Sequence, residues 1–199
     1  MKKDGYHHGD LRSTLVDTGM QLMREGGPAA LIAREVTRKA GVSVTALYRH
    51  FDSVDQWRAE VSRAAREQLA HTLLAAMQSV SPRGTRASVA RRRFRASGEG
   101  YVQFALMEPQ LFAGAFMECG ATPLKEDNPS PWAILEGALD DLVLADLLAP
   151  KLRPDAPTIA WTAVHGLAAL ITQGVMEVKD IKDHRVQIVL DAVATSLGI

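Results

Sequence analysis

Apolar positions recur every three to four residues along most of the chain, the period of helices that bury one face. Leu11, Leu15, Gly19 and Leu22, joined by Met23, make the first stripe. Asp10 is its expected N-cap, and Gly26–Gly27–Pro28 ends it. A longer stripe over 54–80 passes through Trp57, Val61, Ala65 and Leu69 and continues on Leu73, Ala76 and Met77 until Ser81–Pro82–Arg83–Gly84 stops it. Arg91 is expected to open the next helical stretch. From Gly100 the chain turns apolar, with Tyr101, Phe104, Met107, Leu111, Phe112, Phe116 and Met117, and Pro109 divides this stretch into two helices. Three further amphipathic helices are predicted over 132–148, 158–178 and 182–197.

Between the first two stripes lies IAREVTRKAGVSVTALYRHF, residues 32–51. It reads as two short helices, about 31–39 and 43–49, joined by a tight turn. Val36 and Ala40 face inward from the first. Gly41 supplies the backbone freedom the turn needs, and Ser43 is placed to cap the second helix. With Ala46, Leu47 and Phe51 turned to the core, Val44, Thr45, Tyr48, Arg49 and His50 are left outside. This is the pattern of a helix-turn-helix, whose second helix enters the DNA major groove.

Charge changes the picture more than composition does. At 47% hydrophobic residues the chain can bury a core, and no apolar run approaches a membrane span. The formal net charge is zero. Residues 1–99, however, hold 17 Lys and Arg against 10 Asp and Glu, whereas 100–199 hold 6 against 13. The basic half suits phosphate and the acidic half some other task. MKKDGYHHGD has no apolar signal region, and the single Cys119 forms no internal disulfide, so a cytoplasmic setting is expected.

AGVSVTALYRHF, residues 40–51, resembles the DNA-recognition segment of the TetR family of bacterial transcription regulators. YHHGDLR at 6–12, YVQFALMEPQLF at 101–112 and WTAVHGL at 161–167 resemble a subgroup with a WHG-type C-terminal regulatory domain. The resemblance implies an all-α fold of about nine helices. A three-helix helix-turn-helix DNA-binding domain over 1–53 would precede a helical bundle over 54–199 that binds ligand and dimerises. It also implies a ligand-responsive repressor that binds double-stranded DNA as a homodimer through its last two helices. A DNA-binding regulator controlled by a protein partner is the alternative. Two phosphate-contact positions depart from the family pattern: Ile32 stands where a capping Ser or Thr is usual, and Val54 where a phosphate-anchoring Lys is usual. Thr37 also stands where Ala is usual.

The expected DNA-contacting residues are Arg34, Arg38, Ser43, Val44, Thr45, Tyr48, Arg49 and His50. Val44 and Thr45 offer methyl groups to thymine. Tyr48 and His50 match phosphate-binding positions, and Arg34 and Arg38 sit one turn apart. Lys2 and Lys3 belong either to a DNA-touching arm or to a frayed terminus. Phe104, Met107, Phe112, Phe116, Met117, Trp132, Trp161 and His165 are candidates to line a pocket for a small apolar or amphipathic effector, or else are plain core. The run Arg91–Arg92–Arg93–Phe94–Arg95 is read as a solvated face with carboxylate partners ahead of a second DNA patch or a site for an acidic partner. No catalytic set, cofactor motif, metal spacing or membrane association is expected. Cys119 and His165 lack an orienting carboxylate, and His7–His8 lacks a third ligand.

Overall fold

The stripes fold into nine α-helices in a computed structural model, which describes residues 10–117 and 130–199, and no strand occurs among those residues. Cys119 and the Lys2, Lys3, His7 and His8 side chains lie outside the described residues. The chain divides into two units, 1–66 with 110–124 and 67–109 with 125–199.

The first unit is built on α1 (Asp10–Gly26), α2 (Ala33–Lys39), α3 (Val44–Tyr48), the first half of α4 (Val54–Gln78) and all but the first residue of α6 (Pro109–Ala115). Its core rests on Trp57. The indole is fully buried, and its Nε1 donates to the Leu15 carbonyl at 3.0 Å. Gly19 is the small residue that admits the ring: a Cβ there would lie 2.6 Å from Val61 Cγ2 and 2.9 Å from Trp57 Cζ2. Gly114 likewise brings α6 against Met23. The C-terminal carbonyl of α6, on Ala115, accepts from Ser62 Oγ at 3.0 Å and Arg66 Nη1 at 2.6 Å, so an end group that the helix cannot satisfy is satisfied by α4.

Gly41 makes the turn between α2 and α3. Its φ is 69°, and the amides of Gly41 and Val42 donate to the Arg38 and Thr37 carbonyls at 3.3 and 2.9 Å. This is the paired closure of a Schellman motif, which favours glycine at the left-handed position. Helix α2 begins two residues later than its stripe implied, because Pro28–Ala30 forms a separate 3-10 turn. Ile32 sits at its N-cap and supplies no side-chain bond. Thr37 is buried, and its hydroxyl donates back to Ala33 O at 2.9 Å, which accommodates a polar group in the core. At the start of α4 the cap is Ser53, whose Oγ accepts from Gln56 N at 3.0 Å. Asp52 instead accepts from the Gln56 side chain, and Asp55 pairs with Arg58.

The second unit packs α5 (Arg86–Met107) against α7 (Pro131–Leu144), α8 (Ala156–Thr172) and α9 (His184–Leu197). Phe94, Leu135, Leu139, Leu142, Ala160, Val193 and their neighbours form its core. Three predicted limits move for local reasons. Helix α5 starts at Arg86 rather than Arg91, because Thr85 Oγ1 accepts from Ser88 N at 3.2 Å and nucleates the extra turn. Helix α7 stops at Leu144, not 148, where Asp146 takes φ 56° and the amides of Asp146 and Leu147 close onto Val143 O and Leu142 O. Helix α8 stops at Thr172, not 178, where Gly174 takes φ 72° and Val175 N donates to Leu170 O at 2.9 Å. A hydrophobic stripe that continues past a left-handed residue does not continue the helix.

Candidate functional site

Helix α3 exists because Ser43 Oγ accepts from Ala46 N at 3.2 Å, satisfying an amide that a five-residue helix leaves open at its start. Leu47 and Phe51 anchor it inward, both buried. The opposite face is free: Val44 is 40% exposed, Tyr48 is 52% exposed, and Thr45 and Arg49 are exposed beside them. Ser43 is exposed and His50 half-buried. Six of the eight residues proposed for DNA contact therefore fall on one short segment. The other two stand on α2. Arg34 is exposed with no side-chain partner among the described residues. Arg38 is exposed but paired at 2.7 Å with Glu35 Oε2, whose hydrogen bond holds the guanidinium above its ordinary pKa.

A residue the periodicity did not single out holds this segment in place. Arg12 of α1 donates to the His50 carbonyl, pairs with Glu60 at 3.1 Å and lies 4.3 Å over the Phe51 ring. It thereby ties the end of α3 to α1 and α4 through three different interactions. Its sequence signals were a position beside Leu11 and its place at the end of the YHHGDLR motif, neither of which points to α3. Lys39–Glu25 at 2.6 Å and the Arg58 Nε bond to Leu31 O at 2.9 Å add further ties within the unit.

The second unit contains a cavity of about 430 Å³ between the second half of α4, α5, α7, α8 and α9. Phe94, Tyr101, Leu135, Trp161, Val164 and Leu190 supply apolar wall, and Arg91, Arg92, Arg95 and Asp191 supply its charges. Of the eight residues considered for a pocket, Trp161 lines this space. Its ring is stacked on His165, with planes 10° apart, and Trp132 meets it edge-on at 5.6 Å. The Tyr101 hydroxyl and His165 Nδ1 are hydrogen-bonded at 2.8 Å. Burial pushes the phenol's pKa up and lowers that of the imidazole, so both are held neutral. Phe104 is buried in the same unit and Met107 is 70% exposed. Phe112, Phe116 and Met117 belong to the first unit, where the two Phe rings meet at 5.4 Å.

The arginine run is divided by these surroundings. Arg95 pairs with Asp191 at 2.6 Å and Glu99 at 3.3 Å and donates to the Gln187 side chain. Arg92 donates to Ser88 Oγ and to the Ser81 and Arg83 carbonyls at 2.5, 2.9 and 2.7 Å. Arg91 and Arg93 have no such partners among the described residues. Carboxylate partners, expected for the whole run, are thus taken by Arg95 alone.

Among the described residues no three His, Cys, Asp or Glu side chains gather as a metal site, and no helix there is long and apolar enough to cross a membrane. Residues 15–56 match the family described as bacterial regulatory proteins, tetR family, and residues 94–193 match the tetracyclin repressor-like C-terminal domain. No curated protein matches the chain. Among solved structures, the fold is similar to that of a Rhodococcus sp. RHA1 protein of unknown function. That match has 23% identity and a TM-score of 0.77, and covers 99% of this chain and 100% of the other. It is also similar to a TetR family transcription regulator from Marinobacter aquaeolei VT8, at 17% identity and a TM-score of 0.67, over 94% of both chains.

Proposed function

The chain belongs to the TetR family of bacterial regulatory proteins, and we propose that this DNA-binding transcriptional regulator is a ligand-responsive repressor, seated as a homodimer on an operator of two inverted half-sites. The observation that carries the reading is the outer face of α3. A Ser43-capped helix presents Val44, Thr45, Tyr48 and Arg49 together while Leu47 and Phe51 hold it from behind. Val44 and Thr45, at the N-terminal end, reach base edges, and Tyr48 and His50 contact the backbone, which positions the head without reading sequence.

Support for the dimer comes from apolar side chains left uncovered on and beside the last two helices. Ile159, Leu170 and Ile188 are exposed, and Val175 is 71% exposed. A second copy would cover them, and its two-fold axis would match the operator's symmetry. Support for an effector comes from the cavity in the second unit. A ligand that prefers one arrangement of the dimer over another shifts the DNA-binding equilibrium by that difference in affinity. The family's members are regulators rather than enzymes, and the cytoplasm is the compartment where this one meets DNA.

The test is binding to the DNA immediately upstream of the protein's own gene, followed by anisotropy of a dye-labelled duplex at several salt concentrations. Saturable binding that prefers this duplex over unrelated DNA, and weakens steeply with salt, is the expected outcome. Equal weak binding to both duplexes would overturn the reading. Sedimentation of the free protein as a monomer would remove the dimer from it.

A further inference from the structure

We propose that the cavity of the second unit takes an amphipathic organic anion, an apolar carboxylate whose hydrocarbon part lies among Phe94, Leu135, Trp161 and Leu190 and whose carboxylate meets Arg91. The proposal rests on reading this cavity as the effector site and goes further by naming the chemistry it selects.

The charges around the cavity point one way. Its lining holds three arginines and one acidic side chain, Asp191, and that carboxylate is already engaged by Arg95 at 2.6 Å. Arg95 also faces Glu99, so its charge is balanced within the protein. Arg92 is held by the Ser88 hydroxyl and two backbone carbonyls, neutral acceptors that leave its positive charge uncancelled. Arg91 lines the same space, is exposed, and has no hydrogen-bond or ion-pair partner among the described residues. Two arginines that no side-chain carboxylate neutralises, Arg91 and Arg92, therefore line the cavity, and the Arg91 guanidinium keeps its donors open. A guanidinium fork recognises a planar carboxylate bidentately.

The rest of the wall fixes the other half of the ligand. Its polar candidates are largely satisfied: the Tyr101 hydroxyl is bonded to His165, and the Ser97 hydroxyl donates to the Phe94 carbonyl at 2.7 Å. The remaining wall is aliphatic and aromatic, and favours a hydrocarbon body. At about 430 Å³ the space falls within the roughly 300–1,000 Å³ of small-molecule pockets. The helix register explains why the arginine run looked like plain surface. Arg91 and Arg95 are one turn apart and share the face of Phe94, whereas Arg93 points elsewhere and does not line the cavity.

The test is titration calorimetry on the full-length protein with octanoate, 1-octanol and octylammonium, which share a tail and differ in head charge. Octanoate is expected to bind at least about tenfold more tightly than octanol, and octylammonium more weakly than either. Arg91→Ala should bring octanoate down to the level of octanol, and Arg91→Glu should weaken octanoate further than Arg91→Ala does. Arg93→Ala, in the same run but outside the cavity, should leave the preference intact. Octanol binding as tightly as octanoate, no heat with any of the three, or a preference that survives Arg91→Ala overturns the proposal. Equal losses in the Arg91→Ala and Arg93→Ala variants overturn it too, since diffuse charge would then account for the effect. Operator binding on the same preparation separates the two readings. Selective DNA binding without a carboxylate preference sinks this proposal alone, and a carboxylate preference without selective DNA binding sinks only the regulator reading.

Discussion

The two units of this chain use the same secondary structure to opposite ends. In the first, helices meet with no room to spare: a single added carbon at Gly19 would collide with Val61 and Trp57. Side chains there are tied across elements, Trp57 to the Leu15 carbonyl and Arg12 to His50, Phe51 and Glu60. In the second, the helices leave a cavity of about 430 Å³. A Cβ at Gly98 would meet the terminal methyl of Leu190, which lines that cavity and has space to swing. The reading role proposed for α3 would require one fixed shape, because a displaced helix would lose its register with base edges. The sensing role proposed for the second unit would require room to receive a ligand. Close packing and vacancy are the physical forms of these two requirements.

The most severe way to break the contrast is Trp57→Ala. It removes a fully buried indole and its hydrogen bond, and should cost about 3–5 kcal/mol. Urea unfolding followed by circular dichroism would show the loss. Next comes a pair of matched substitutions. Gly19→Ala should be destabilising, because overpacking of about 1–3 kcal/mol exceeds the helix-propensity gain of up to about 1 kcal/mol. Gly98→Ala should be neutral or stabilising, because its only close neighbour can move aside. Equal costs at both sites would show that the units do not differ in packing freedom.

Tyr101→Phe is expected to cost about 1 kcal/mol by removing the partner of His165. The same pair has a pH signature. Burial lowers the His165 pKa below its ordinary 6.5, so the unfolded chain takes up a proton that the folded unit resists. Stability of the second unit should therefore be complete above the ordinary imidazole range and fall as pH drops through 6.5 toward the depressed folded value. His165→Gln should remove this component of the slope, measured as urea midpoints against pH.

Smaller effects are expected at the two departures from the family pattern in the first unit. Ile32→Ser should stabilise α2 by about 0.5–1 kcal/mol, since the N-cap there makes no side-chain bond. Val54→Lys, at the start of α4, should tighten binding to all duplexes alike and steepen the salt dependence by about one unit of slope. A gain confined to one sequence would contradict a phosphate role.

What could be read from the sequence was what depends on near neighbours. Gly41 and Ser43 specify the turn and the cap of α3 within six residues, and both appear where the pattern put them. The stripe of α1 reads directly into Leu15 and Met23. Helix ends were legible only where glycine or proline marked them. Asp146 takes a left-handed conformation that an aspartate does not advertise, and Thr85 sat unnoticed behind a conspicuous arginine run. The cavity was hidden for a different reason. The pairings of Arg95 with Asp191 and Gln187 join side chains more than 90 positions apart, and these long-range contacts help distinguish Arg95 from Arg91. Periodicity says which face of a helix is apolar but not which distant helix covers it. Hence Phe112 and Phe116 read as kin to Phe104, although they are built into another unit.

The three tryptophans draw a last consequence from the stack at Trp161. Trp57 is the single indole of the first unit, and Trp132 and Trp161 both belong to the second. The Trp161 and His165 rings lie near parallel, with planes 10° apart and centroids 6.1 Å apart. A neutral imidazole leaves an excited indole largely undisturbed, whereas an imidazolium draws its electron and darkens it. The emission of Trp161, a residue of the cavity wall, is therefore expected to fall as His165 takes up a proton.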